Sequence, residues 1–425
     1  MRRIASPKLG AYAGLAALGL LASLILGLPE LVALAAPFAL LAGAGLGVAK
    51  RPELRVESRV DPELTLEGEE VTVELVLHAG SPIERLDVLF EVPPGLELVE
   101  GETPVSLHLE EHESRALEFR FRCNRWGGYA VGEALVRAHD RFGLVLHERR
   151  FGEGRPLKVY PRPEPVQALL RPAETQVFSG NQVAREKSEG IEFADLRPFV
   201  PGDRIRRVNW RASARRGELW VNELHAERNA DVVLFLDSFA EARRRSESTL
   251  DLAVRATAAL SGRYLRQKDR VGLVAFGGVL NWLFPSTGLV QAYRILDSLI
   301  DTEIVHNYAW KDLEIIPRRT LPPKALVVAL TPLLDERAVG ALLDLRGRGF
   351  DLAIVEVSPV PFVHSGDDQV SRLAHRVWVL RREALRGRYE RAGVPVAVWD
   401  DETPFAGAIE EVRAFRRHAP RAARA

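Results

Sequence analysis

The sequence has one cysteine, Cys123, and one methionine, Met1, among 425 residues. With a single thiol no intramolecular disulfide can form, and zinc sites built from cysteine pairs are excluded. Lysine is scarce too: seven of the 58 basic residues are Lys and the rest are Arg. With abundant Ala, Gly and Pro, that skew reads as GC-rich coding rather than as a binding function. Net charge is lacking as well, since Asp plus Glu also number 58. The chain as a whole therefore has no electrostatic bias toward nucleic acid, anionic lipid or acidic substrates, and any such bias must be local. No Gly-x4-Gly-Lys-Ser/Thr phosphate loop occurs, and no Ser-His-Asp set or pocketed pair of carboxylates emerges from the pattern. We expect no catalytic residue and no cofactor.

What is present starts with two uncharged runs, Leu9 to Pro29 and Leu31 to Ala49, of 21 and 19 residues, flanking Glu30. Each is long enough for a helix to cross the roughly 30 Å hydrocarbon core of a bilayer. Spans at about 9–28 and 31–49 are expected, turning at Pro29-Glu30, because Pro resists helix continuation and Glu is costly in lipid. Arg2, Arg3 and Lys8 precede the first run, and Lys50, Arg51 and Arg55 follow the second. The positive-inside rule then puts both ends, and the roughly 375 residues that follow, in the cytoplasm at the inner membrane. A cleaved signal peptide is the competing reading, which two successive full-length runs disfavour.

Between residues 52 and 163 short alternating runs recur: Val71, Val73, Leu75 and Leu77 face one way, and Thr72, Glu74 and Val76 the other. Similar runs lie at Leu86 to Val92, Val105 to Leu109, Leu117 to Phe121, Tyr129 to Ala138 and Leu144 to Arg150. Turns between them include Pro93-Pro94-Gly95 and Trp126-Gly127-Gly128. This spacing predicts an immunoglobulin-like β-sandwich. His108, His112, His139 and His147 lack ligand spacing and read as surface residues, and Cys123 reads as a small buried side chain.

Residues 164–230 hold the most informative segment, GIEFADLRPFVPGD followed by RIRRVNWRASARRGELWVN from 190 to 222. Pro201-Gly202-Asp203 is a turn, with Pro presetting one φ and Gly supplying a positive one. Arg204, Arg206, Arg207, Arg211, Arg215 and Arg216 then fall within 13 residues. One reading is a surface for phosphate, acidic protein or RNA, with Trp210 free to stack. The favoured one is an internal network with Glu186, Glu189, Glu192, Asp195, Asp203 and Glu218.

From residue 231 to 425 mostly apolar runs at Asp231 to Leu236, Val271 to Phe276, Ala325 to Leu330, Leu352 to Val357 and Val394 to Trp399 suit parallel strands covered on both faces. Helical faces lie between them, at Leu250, Val254, Thr257, Leu260 and Tyr264 and at Ala338, Val339, Leu342 and Leu343. The alternation predicts a doubly wound α/β sheet, with a hairpin at Gly277-Gly278 adding one antiparallel edge. Ligands of such sheets bind beyond the carboxyl ends of the strands, here Asp237, Thr331 and Ser286-Thr287. The basic tail, from Arg413 to Arg424, is expected to fray.

The central segment resembles the signature of the bacterial and archaeal family called domain of unknown function 58. Gly190, Glu192, Phe193, Leu196, Arg197, Pro201, Gly202, Asp203, Arg206, Asn209, Trp210, Ser213, Ala214 and Arg215 match its pattern. The resemblance implies a multidomain chain: two transmembrane helices, an immunoglobulin-like sandwich, then a von Willebrand factor A-like domain. Metal-binding A-type domains end their first strand in Asp-x-Ser-x-Ser, which suits a hard cation such as Mg2+. Here Asp237, Ser238, Phe239, Ala240 and Glu241 stand in those places, and Thr331 is followed by Pro332. Asp237, Ser238 and Thr331, with Glu241 or Asp335 as substitutes, are thus metal candidates, and a scaffold without metal is the expectation.

Glu192, Arg197, Asp203, Arg206, Asn209, Trp210, Ser213 and Arg215 are expected to be structural or partner-binding. The resemblance implies a non-enzymatic adaptor that binds protein partners through the A-type domain beside a MoxR-type AAA+ ATPase. The alternative is an envelope or cell-wall assembly factor acting through its sandwich without an ATPase. Nucleic-acid binding is not expected, because the nearby carboxylates would neutralise the arginines.

Overall fold

The computed structural model describes residues 1–425 except 49–50, 141–142, 153, 173–191, 202, 204, 226–230, 246, 279, 305–320, 323–324 and 419–425. The chain divides into two compact units, Met1–Arg162 and Pro163–Ala425.

The first unit opens with a short strand, β1 (Arg2–Ala5), followed by helix α1 (Pro7–Leu26) and helix α2 (Glu30–Val48). Ser6 caps α1 by accepting from the Lys8 amide, Pro7 suits the first turn, and Gly27 ends the helix in the left-handed region. Among the described residues one helix, Pro7–Leu26, is long and apolar enough to cross a membrane; Glu30–Gly43 is a shorter apolar stretch. The two helices pack closely at Gly19, where an added Cβ would come within 2.7 Å of the Ala35 Cβ. Tyr12 and Phe38 meet across the pair, ring centroids 5.8 Å apart.

Strands β2 (Leu54–Asp61), β3 (Leu64–Leu66), β4 (Glu70–Ala79), β5 (Ile83–Phe90), β6 (Leu96–Glu100) and β7 (Val105–Leu109) follow. After them come β8 (Ser114–Cys123), β9 (Gly127–Val131), β10 (Ala134–His139), β11 (Val145–Phe151) and β12 (Arg155–Tyr160). They form a sheet ordered β1-β11-β10-β5-β7, another ordered β2-β4-β8-β6, and a small one ordered β3-β12-β9. One core joins them: Val73, Leu75 and Phe121 from the second sheet pack with Leu86, Val88 and Val136 from the first. The alternation along β4 is that of the sequence, with Val71, Val73, Leu75 and Leu77 buried.

Three details differ from expectation. The run Tyr129 to Ala138 breaks at Gly132, whose φ is +96° and where a Cβ would meet the Ser58 side chain at 2.8 Å. Arg2 and Arg3 belong to an edge strand paired with β11, Arg3 opposite His147. His147 is buried rather than at the surface. Cys123 is buried in the core, and burial pushes its thiol up to about 11.

The second unit contains the antiparallel pair β13 (Glu192–Pro198) and β14 (Trp220–His225), with helix α3 (Trp210–Arg216) in the connection. Its main sheet is built from β15 (Asp231–Ser238), β18 (Arg270–Gly277), β19 (Leu280–Ser286), β20 (Leu326–Thr331), β21 (Asp351–Val357) and β22 (Val396–Trp399). A two-residue pair, β16 (Arg243–Arg244) and β17 (Glu247–Ser248), leads into helix α4 (Thr249–Arg266). The order is β19-β18-β15-β20-β21-β22, all parallel except the antiparallel edge β19. β15 and β20 are buried at every position, as strands covered on both faces must be. Helices α5 (Gly288–Ile300), α6 (Glu336–Gly347), α7 (Gln369–Arg391) and α8 (Phe405–His418) complete the unit. One layer of the core packs Val233, Phe235 and Phe276 against Ala338, Leu342 and Leu345 of α6. The described part of the basic tail is held in α8, where Val412 is buried and Arg416 pairs with Asp351 at 2.6 Å; Arg421 and Arg424 lie outside the described residues.

Candidate functional site

The carboxyl edge of the main sheet brings Asp237 and Thr331 together, as expected from their places at the ends of β15 and β20. The Thr331 hydroxyl donates to Asp237 Oδ2 at 2.6 Å and the Phe239 amide to Asp237 Oδ1 at 3.1 Å. Thr331 Oγ1 in turn accepts from the Leu333 amide at 2.9 Å. Asp237 is fully buried, and desolvation pushes its pKa up to about 7 despite those two donors. Asp335 opposes ionisation there and Arg337 favours it.

Arg337 lies near this carboxylate. Its guanidinium chelates Asp335, through Nε to Oδ1 at 2.9 Å and Nη2 to Oδ2 at 2.8 Å, and lies 4.2 Å from the centre of the Phe239 ring. The Asp335 carboxyl is held below the usual carboxylate range, chiefly by that guanidinium. Next along the edge, Arg382 of α7 reaches Glu356 Oε1 at 2.5 Å and donates to the Pro332 carbonyl at 2.6 Å. Arg337, Glu356 and Arg382 gave no signal in the sequence: each is one charged residue among many, and only the packing of α7 on the sheet makes Glu356 and Arg382 neighbours.

A hard cation needs several oxygens in an octahedron. Both Asp237 oxygens are taken by internal donors, Phe239 and Ala240 offer no side-chain oxygen, and Asp335 is already neutralised by Arg337. Ser238 turns toward the next strand, where a Cβ on Gly277 would meet its hydroxyl at 2.2 Å. Glu241 pairs with Arg243 at 2.8 Å. The donor set does not suit Mg2+. Among the described residues no group of three or more His, Cys, Asp or Glu side chains could hold a metal ion.

The signature segment is a folded device of its own. Arg197 Nη1 and Nη2 grip both oxygens of Asp203, each at 2.7 Å, and Asp203 Oδ2 also accepts from the Val200 amide, which fixes the turn. Asn209 caps α3 by accepting from the Ala212 amide at 3.0 Å, while its Nδ2 donates to Asn222 Oδ1 at 2.9 Å. Ser213 is buried: its Oγ donates to the Asn209 carbonyl and accepts from the Trp220 amide, both at 2.9 Å. Arg216 lies 3.9 Å from the Trp220 ring centre. Asn209 and Ser213 thus lock the helix to β14.

Of the expected network, the Asp203 carboxylate is seen gripped by Arg197, which stands outside the six clustered arginines. Arg206, Arg211, Arg215 and Arg216 are exposed, and so is Trp210, at 65%. The side chains of Glu192, Asp195 and Arg207 lie outside the described residues, as do Glu186, Glu189, Gly190, Gly202 and Arg204. The structure therefore splits the predicted set into a structural half, Arg197, Asp203, Asn209 and Ser213, and an exposed half, Arg206, Trp210 and Arg215.

Comparison with known proteins gives one curated relative, an "Uncharacterized protein YeaD" of Bacillus subtilis (strain 168), 24% identical over 59% of this chain. The match spans 62% of that relative's length. Solved structures align at low similarity. The cupredoxin domain of amoB from Nitrosocaldus yellowstonii covers 32% of this chain and 98% of that one, at 8% identity and a TM-score of 0.21. The CARDB domain of the PF1109 protein from Pyrococcus furiosus covers 25% and 93%, at 14% identity and a TM-score of 0.15. Residues 195–359, which run from the signature hairpin to the end of the fourth parallel strand, match the family model described as "Protein of unknown function DUF58".

Proposed function

We propose that this chain is a non-enzymatic, membrane-anchored docking protein that presents its second unit to a protein partner. The observation that carries the reading lies at the carboxyl edge: Arg337 stacks on Phe239 and pairs with Asp335, one of the carboxylates that could have substituted as a metal ligand. A short helix exposing Trp210, Arg211 and Arg215 stands in the same unit. Such surfaces grip a partner and offer no chemistry.

The parallel sheet with one antiparallel edge supports a von Willebrand factor A-like fold, and the two sheets around one core support an immunoglobulin-like sandwich. For the anchor, α1 and α2 form a hairpin whose two ends return to one sandwich through β1 and β2. With basic residues at both ends, the hairpin spans the inner membrane twice and leaves the sandwich in the cytoplasm. Cleavage as a signal peptide would strip β1 from its pairing with β11. The partner proposed, from the family resemblance, is a MoxR-type AAA+ ATPase.

Affinity purification of the detergent-extracted protein tests this. An AAA+ ATPase should co-purify with the wild type and be lost from a Trp210→Ala, Arg211→Glu, Arg215→Glu variant. The envelope-factor alternative rests on an open cleft of about 710 Å³ on the sandwich, lined by Arg51, Arg55, His78, His112, Arg149 and Phe151 among others. Recovery of envelope components without any ATPase would replace the first reading with that one.

A further inference from the structure

Helix α7 leaves an apolar stripe uncovered over its first four turns, while Trp378 and Val379 are half-buried on the other side. A surface helix ordinarily buries its apolar stripe and exposes its charges. Here Arg382 and Tyr389 are the buried residues, while Val370, Leu373, Val377 and Leu380 are exposed by 77%, 60%, 43% and 62%. Those four positions, spaced three, four and three apart, share one face of the helix. Arg382 explains the exposure: its pairing with Glu356 and the Pro332 carbonyl docks the opposite face on the sheet edge. The stripe is thereby turned to solvent.

The charges beside the stripe say what covers it. Arg376 flanks it on one side and Arg381 on the other, and no acidic residue occurs from Gln369 to Arg382. Among the described residues no ion pair engages Arg376 or Arg381. A second copy of the helix would suit the spacing, but symmetric pairing would set arginine against arginine across the seam. An anionic bilayer surface satisfies both features, taking the aliphatic side chains at the acyl boundary and the guanidinium groups among its phosphates.

We propose that the N-terminal half of α7 lies in the plane of an anionic membrane, giving the second unit a lipid contact of its own. This goes beyond the hairpin anchor and does not depend on it, although an anchor would raise the local concentration of lipid around the helix.

The test places an NBD fluorophore on single cysteines, Val377→Cys on the stripe, Leu289→Cys on α5 as an exposed control, and Leu18→Cys in α1. Cys123 is buried and stays unlabelled. The protein is mixed with vesicles of phosphatidylglycerol and phosphatidylcholine carrying doxyl-labelled lipid. The label at position 377 should shift to the blue and be quenched, that at 289 should not, and phosphatidylcholine alone should abolish the effect at 377. Arg376→Glu and Arg381→Glu should each weaken the quenching equilibrium by about five-fold or more, from the worth of one basic residue at an anionic surface. An unquenched label at 377 overturns the proposal whatever the label at 18 reports. A blue shift at 377 without quenching, rising with protein concentration, also overturns it and assigns the stripe to a second copy. Quenching at 18 reads the hairpin anchor separately, so the two ideas fail independently.

Discussion

Asp237 is sealed from water with a pKa near neutrality, and its consequences for stability have a sign. Its folded value of about 7 exceeds the ordinary 3.8. The folded protein therefore holds this proton where the unfolded chain releases it, and stability falls as pH rises from about 4 to about 7. The difference is worth roughly 4 kcal/mol at most, at ~1.4 kcal/mol per pH unit. Asp237→Asn keeps the acceptor for the Phe239 amide and removes the ionisation. We expect its melting temperature to match the wild type near pH 4 and exceed it at pH 8. Millimolar Mg2+ should leave the wild-type curve unmoved, whereas a working cation site would raise it, because a ligand of the native state stabilises that state. His147 has the opposite sign. Burial, then Arg3 and Arg51, depress its pKa, and among the described residues Nε2 meets no hydrogen-bond partner, so its neutral form belongs to the fold. Its contribution is full above the ordinary histidine value of about 6.5 and is lost as pH falls below it. His147→Leu should flatten the acid side of the melting profile. The meeting of Asp237 and Thr331 was legible in the sequence because both end parallel strands of one sheet. Arg337 and Arg382 were not, because neither has a local pattern and both act across the fold.

Asn209 and Ser213 show what the signature segment does for its element. α3 has only seven residues, too few to be stable alone, so its ends and its attachment to β14 decide whether it forms. Asn209→Ala removes the cap and the bond to Asn222 and should cost about 1 kcal/mol. Ser213→Ala strands the Trp220 amide, while the Asn209 carbonyl keeps its bond from the Ser213 amide, and should cost roughly 1–3 kcal/mol. Chemical unfolding followed by tryptophan fluorescence reads both. In the α1–α2 pair, Gly19→Leu has no room against Ala35. Because the pair cannot close, that variant should lose the Tyr12–Phe38 contact and melt at a lower temperature in detergent. Elements with a clean period were legible, β4 and α4 foremost. The break at Gly132 was not, since a single glycine in an alternating run carries no sign of the side chain that approaches it. α7 escaped because it exposes an apolar stripe, a pattern that periodicity alone assigns to a core.

At the scale of the whole molecule, the chain falls into two compact units, Met1–Arg162 and Pro163–Ala425, whereas the sequence was read as four segments, with buried runs alternating with helices only from residue 231. Each unit also has a core of its own, one built around Phe119, Phe121 and Val136 and the other around Phe235, Ile354 and Leu342. Units with separate cores can unfold separately unless an extensive apolar interface couples them. We therefore expect calorimetry of the detergent-solubilised chain to show two transitions. Phe121→Ala should lower one of them and Leu342→Ala the other, each by about 2–5 kcal/mol of local stability. Mutations in unconnected cores act additively, so the double variant should show both shifts undiminished. A single transition lowered by either substitution would mean that the two units melt as one cooperative body. The carboxyl edge of the sheet would then be stabilised from outside its own unit, and Asp237→Asn would alter the melting of the sandwich as well.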